Sequence, residues 1–224
     1  MLCSRRPFHS AWRKALSCLA LVVATSAAQA QAPSNPNLNA QLLVGARQND
    51  MAQVERVLAQ GAAPNSRNRL GKSALVLAAE KGNLPLANRM LEAGADVNLA
   101  SLEGVTALMA ASYGGHDALV RRLLAAGART DPLDRMRKPA IIYAAGQGHV
   151  AVIDTLLDAG VDVNAAYDNQ LTALMWAAGQ GHAKAVERLL QRGANAQALD
   201  DRGLTAQEIA RRSSHAAAAA LLGG

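Results

Sequence analysis

Between residues 37 and 222 the apolar positions of this chain fall into two kinds of short run, which alternate. One kind is compact, as in Thr106-Ala107-Leu108-Met109-Ala110-Ala111. The other is amphipathic, as from His116 to Ala126, where Leu119, Val120, Leu123 and Leu124 lie at helical spacing. Gly114-Gly115 separates the two, and Gly127 follows the second in the position of a C-terminal glycine. Stretches such as ADVNLASLEG and VDVNAAYDNQ then intervene, too rich in turn formers to be helix. The pattern predicts pairs of short helices joined by tight turns, with a longer turn projecting between successive pairs.

The pairs recur with one constant period. Gly61, Gly94, Gly127, Gly160 and Gly193 keep it. So do Ser73, Thr106, Pro139, Thr172 and Thr205, each followed by Ala, and so do Leu42, Leu75, Leu108, Ile141 and Leu174. Three registers without an insertion define a repeat architecture, in which one pair cannot bury its apolar face alone and its neighbours must do so. Half of the chain is hydrophobic but only 3% is aromatic. The core must therefore be built from Ala, Leu and Val, whose small side chains let helices stack closely.

A unit reading TALMAASYGGHDALVRRLLAAGA resembles the ankyrin repeat, whose pattern begins T-P-L-H-x-A-A, passes through G-H and closes on L-L-x-x-G-A-D-V-N. Ala74, Ala107, Ala173 and Ala206 stand where the family has Pro, and Val76, Met109, Ile142 and Met175 where it has His. The resemblance implies an all-α solenoid of about six 33-residue helix-turn-helix units with projecting β-turns, at about 37–68, 69–101, 102–134, 135–167, 168–200 and 201–224. The first unit offers Gln41, Arg47, Gln48 and Asn49 to solvent, and the last carries Gln207, Arg211 and Arg212. Polar end repeats of this kind keep a solenoid soluble.

Residues 1–30 read differently. Arg5, Arg6, Arg13 and Lys14 precede an apolar run from Ala15 to Ala28, and Ala28-Gln29-Ala30 supplies small residues for cleavage before Gln31. This predicts a cleavable signal peptide, with the periplasm as destination and secretion as the alternative. Ser4-Arg5-Arg6-Pro7-Phe8 resembles a twin-arginine export motif, although His9 and Ser10 depart from it. Cleavage would remove Cys3 and Cys18, so no disulfide is expected. It would also remove four of the twenty-three basic residues and none of the seventeen acids, lowering the net charge from +6 to +2. Nucleic acid is not an expected partner at that charge, and no stable membrane insertion is expected after cleavage. Residues 31–36, with two prolines, are expected to form a flexible tail.

AAGQGH occurs twice, at Ala144 to His149 and Ala177 to His182, and poses the question of chemistry. A phosphate loop would need a following lysine or a preceding strand, and neither is present. His116, His149, His182 and His215 occupy equivalent positions, which stacked helices hold about 8–10 Å apart, whereas zinc ligands must each reach within about 2.1 Å of one ion. Each histidine is expected to start a second helix, its ring bonding the adjoining turns. The sequence contains no catalytic signature, so the expectation is no enzyme, no metal and no cofactor.

In the ankyrin family, partners bind the concave face made by the projecting turns and first helices. Carried over residue by residue, that face includes Arg69, Lys72, Lys81, Leu102, Glu103, Ser112 and Tyr113. It continues through Arg135, Met136, Arg137 and Lys138, then Tyr143, Asp168, Asn169 and Trp176. Arg135 to Lys138 form a basic turn that could meet an acidic patch or simply be solvated. Tyr143 and Trp176, one repeat apart, read either as binding anchors or as core packing. The resulting expectation is a monomeric scaffold that binds another protein. Small exported bacterial ankyrin proteins, some associated with oxidative-stress defence, are the resemblance that extends this to peroxide defence. An effector acting on host proteins and a small-ligand or enzymatic role are the alternatives.

Overall fold

The computed structural model describes residues 35–223. The expected signal peptide and residues 31–34 of the expected tail lie outside the described residues. Six helix pairs follow one another: α1 (Pro36–Gln48) and α2 (Met51–Ala59), α3 (Ala74–Glu80) and α4 (Leu84–Glu92), α5 (Ala107–Tyr113) and α6 (Asp117–Ala125). They continue with α7 (Ala140–Gln147) and α8 (Val150–Asp158), α9 (Ala173–Gly179) and α10 (Ala183–Gln191), α11 (Ala206–Arg212) and α12 (Ala216–Leu221). Asn35 and Pro36, expected in the tail, instead start α1. The Asn35 side chain accepts from the Asn37 amide, and proline suits the first helical turn, where a missing N–H costs nothing.

The odd-numbered helices pack side by side in one layer, and the even-numbered helices from α4 onward form the other. The leucine register is the core: Leu42, Leu75, Leu108, Ile141 and Leu174 are all at most 2% exposed. Ala78, Ala111, Ala144 and Ala177 are also fully buried, and their size permits the close inner stacking. Among the described residues there is no strand, only an isolated bridge between Arg67 and Ser73.

The register that begins each inner helix works by capping. Ser73, Thr106, Thr172 and Thr205 each accept the amide three residues on, and Glu208 completes a reciprocal box with Thr205. Pro139 starts α7 without a side-chain cap. Its ring instead presets the backbone for the turn.

Three devices join successive pairs, each at some of the joints. In the first, His149 Nε2 lies 2.9 Å from the Tyr113 carbonyl oxygen, and His182 Nε2 lies 2.9 Å from that of Gly146. The expected helix-starting role holds: the four histidines precede α6, α8, α10 and α12. In the second, Asn65, Asn98 and Asn164 accept the amides of Asp96, Arg129 and Asn195 in the following repeat. Asp131, standing in the same position, instead pairs with Arg129 of its own repeat.

The third is a ladder along the turn tips. The amides of Leu102, Arg135 and Asp201 donate to the carbonyls of Leu70, Glu103 and Asn169, at 3.0, 2.9 and 3.1 Å. Among the described residues the ladder has no rung from Asp168 to Met136. At Gly71, in the left-handed region at φ +73°, a Cβ would come within 2.6 Å of the Leu102 amide nitrogen. Arg137 and Gln170 hold the same position at φ +56° and +57°, and the rung beside Gln170 is made, so a side chain at this position does not by itself account for the missing one.

Candidate partner-binding surface

The projecting turns and the inner helices make one continuous face, and their hydrogen bonding explains why it is rigid. In the turn before α3, the Asn68 side chain accepts the amides of Leu70 and Lys72. Asp134 and Asp200 repeat the device, accepting from Lys138 and from Arg202 and Leu204. Tyr167 cannot do so, and its turn contains a 3₁₀ segment, Asp168–Gln170, with Asn169 and Gln170 at positive φ.

At the tips, large apolar side chains face solvent. Leu70 is 60% exposed, Leu102 56% and Met136 64%. Around them the side chains of the expected basic turn are engaged by neighbours, the two arginines with acids and the lysine with a ring. Arg135 pairs with Glu103 at 3.2 Å, Arg137 with Asp168 at 3.6 Å, and the Lys138 ammonium lies 4.3 Å from the centre of the Trp176 ring. Each partner belongs to a neighbouring repeat, so the face alternates in sign. Arg69 is exposed at the first of these tips.

Toward the first repeats, Lys72 pairs with Glu80 at 2.5 Å, while the Lys81 ammonium donates to the Arg47 carbonyl and so ties α3 to the C-terminus of α1. Ser112, expected on this face, is fully buried among the inner helices. An α-helical face turns one residue in about four outward, and in α5 that residue is Tyr113.

The aromatic residues settle between the two readings offered for them. Tyr143 and Trp176 are both half-buried, with part of each ring against the core and part on the face. Tyr113 is more exposed and meets Tyr143 edge to face, the ring centres 5.9 Å apart at 81°. The Tyr143 hydroxyl donates to the Asp134 side chain, which is 8% exposed. Burial first, and then this bond to a carboxylate, hold the Tyr143 hydroxyl well above the usual tyrosine range. None of the ion pairs among the described residues includes Asp134.

Beside the tyrosine pair lies a concavity of about 380 Å³, lined by Glu80, Val105, Met109, Ala110, Tyr113 and Tyr143. It exists because Ala110 is small: the same position holds Leu77, Tyr143 and Trp176 in other repeats. Among the described residues no group of three or more His, Cys, Asp or Glu could hold a metal ion, and no helix is long and apolar enough to cross a membrane.

A search of curated proteins returns no match. A family model described as "Ankyrin repeats (3 copies)" matches residues 42–134, 75–167 and 141–223 in overlapping placements that together span the helical stack. With the capped helix pairs, the glycine and histidine registers and the hydrogen-bonded turns in place, the chain belongs to the ankyrin-repeat family.

Proposed function

We propose that this protein is a non-enzymatic scaffold that binds another protein through its turn-and-inner-helix face after export to the periplasm. Ankyrin repeats serve as protein-binding modules, which supports the class of function. The observation that carries the assignment to this face is the row Leu70, Leu102 and Met136, each more than half exposed at a hydrogen-bonded turn, together with the half-open tyrosine pair on the inner helices. Apolar and aromatic groups held in place by backbone bonds lose little entropy on contact, so their burial contributes to affinity almost undiminished.

The alternating charges refine the partner. A uniformly acidic surface would have to compete with Glu103 and Asp168 for Arg135 and Arg137. A partner of alternating sign along its length matches the face better, and these rim charges set orientation more than affinity. The periplasmic destination rests on the basic and apolar segments before Gln31, and a role in peroxide defence rests on the resemblance to small exported ankyrin proteins alone.

The test is affinity capture of residues 31–224 from periplasmic extract, with the Leu102→Ser and Met136→Ser double variant as control. A protein retained by the native chain and lost by the double variant is the expected result. Equal retention by both would remove this face from the account. Finding the native protein mainly in culture supernatant would replace the periplasmic scaffold with a released effector.

A further inference from the structure

Resting on that reading, we infer that the tyrosine notch between the second, third and fourth repeats receives a lysine or arginine side chain of the partner protein, its charge lying over the Tyr143 ring and facing Glu80. The chain already contains a worked example of this contact one repeat further on. Trp176 stands one full repeat after Tyr143, and Lys138 one full repeat after Val105. Lys138 reaches over the Trp176 ring, with 4.3 Å between ammonium and ring centre. At the preceding repeat the ring is present and the lysine is not. Val105 occupies its place, and Lys138–Trp176 is the one cation–π contact among the described residues.

Three features make the vacant position suit a cation rather than a neutral group. Tyr143 donates its hydroxyl to Asp134, and a phenol that donates to a carboxylate gains electron density on its ring face, where a cation is attracted. Asp134 accepts both from this hydroxyl and from the Lys138 amide, yet has no cationic side chain as partner among the ion pairs of the described residues. Glu80, which pairs with Lys72 at 2.5 Å, adds a second carboxylate at the wall. The edge-to-face tyrosines give apolar walls for the methylene stem of such a side chain, and Ala110 gives it room.

The repeat register also supplies the variants. Position 105 is lysine in the repeats before and after it, at Lys72 and Lys138, and leucine in the next two, at Leu171 and Leu204. Val105→Lys and Val105→Leu therefore place at this site residues that the same fold accepts elsewhere. The probes are Nα-acetyl-lysine methylamide and its uncharged counterpart Nα-acetyl-norleucine methylamide, titrated into residues 31–224 while the tyrosine ring signals are followed by NMR. The lysine probe is expected to shift the Tyr143 and Tyr113 signals saturably and to bind about five-fold tighter than norleucine. Val105→Lys abolishes that binding by filling the position from within, whereas Val105→Leu weakens both probes but preserves the preference. Equal affinity for the two probes, absence of a saturable shift, or undiminished lysine binding by Val105→Lys would overturn the inference. Its failure is separable from failure of the scaffold reading. A partner captured equally by the native chain and by Val105→Lys leaves the scaffold and removes the cation from the notch. Selective lysine binding with no capture supports the notch and removes the scaffold.

Discussion

His149 Nε2 donates to the carbonyl oxygen of Tyr113, in the preceding repeat, across 2.9 Å. The same ring lies against Gly115, where a Cβ would approach His149 Nδ1 to 2.6 Å. The Gly-His pair is therefore a joint between repeats, with the glycine of one unit making room for the histidine of the next.

Gly115 has φ +71°, and its Cβ position is occupied by the histidine; Gly160 has φ +91° and open space. Gly160→Ala should thus cost only backbone strain, about 1 kcal/mol. Gly115→Ala adds a steric clash and should cost about 3 kcal/mol. Urea unfolding of both measures the contrast. In a Gly115→Ala/His149→Ala double variant the two losses should sum to less than their separate values, because removing the ring removes the clash.

Arg137 is a non-glycine residue in the left-handed region, and its pair with Asp168 is exposed. Arg137→Gly should therefore relieve backbone strain at little electrostatic loss and stabilise the fold by about 1 kcal/mol. Urea unfolding measures the change. A loss of stability would mean that the pair with Asp168 outweighs the strain.

Much of this was legible from the constant repeat spacing: the helix pairs, the leucine core, and the histidines as helix starts. The register of Ser73 and Thr106 was visible too, but its capping role came from the structure. The period could not reveal which charges would meet. Glu103 and Arg135 fall one position short of a full repeat, and Arg137 and Asp168 fall two short. Both pairs are off register, so a run of basic residues looked freer than it is. Lys72, Val105 and Lys138 were in register from the start. What the sequence lacked was the knowledge that this position overhangs the aromatic ring of the following repeat.

The outer layer has its own pH signature. Asp154 accepts from Arg188 Nε at 2.8 Å and from Arg192 Nη1 at 2.7 Å, which joins α8 to α10. Burial works to raise its pKa, but the two arginines outweigh it and hold the carboxyl below its ordinary 3.8. Folding therefore favours the ionised form. The resulting stability is present above about pH 3.8 and is lost as pH falls through the depressed native value. Asp154→Asn should flatten the fall of the urea midpoint in that acid window while changing little of its slope near neutrality.

Tyr143→Phe removes the donor to Asp134 and leaves one oxygen of a buried carboxylate without it. The expected loss is about 1–3 kcal/mol. In an absorbance titration of the chain's three tyrosines, the same variant should abolish the step at highest pH. The raised value also fixes the sign: the neutral phenol stabilises the fold below about pH 10, and this contribution is lost at higher pH.

The central claim is that one face of the stack meets a protein partner. A photoreactive amino acid placed at Met136 or Leu102 in intact cells should crosslink to one discrete protein. The same group at Glu92 on α4 or Glu187 on α10, both exposed in the outer layer, should not. Crosslinks from the outer positions with none from the turn tips would contradict the account.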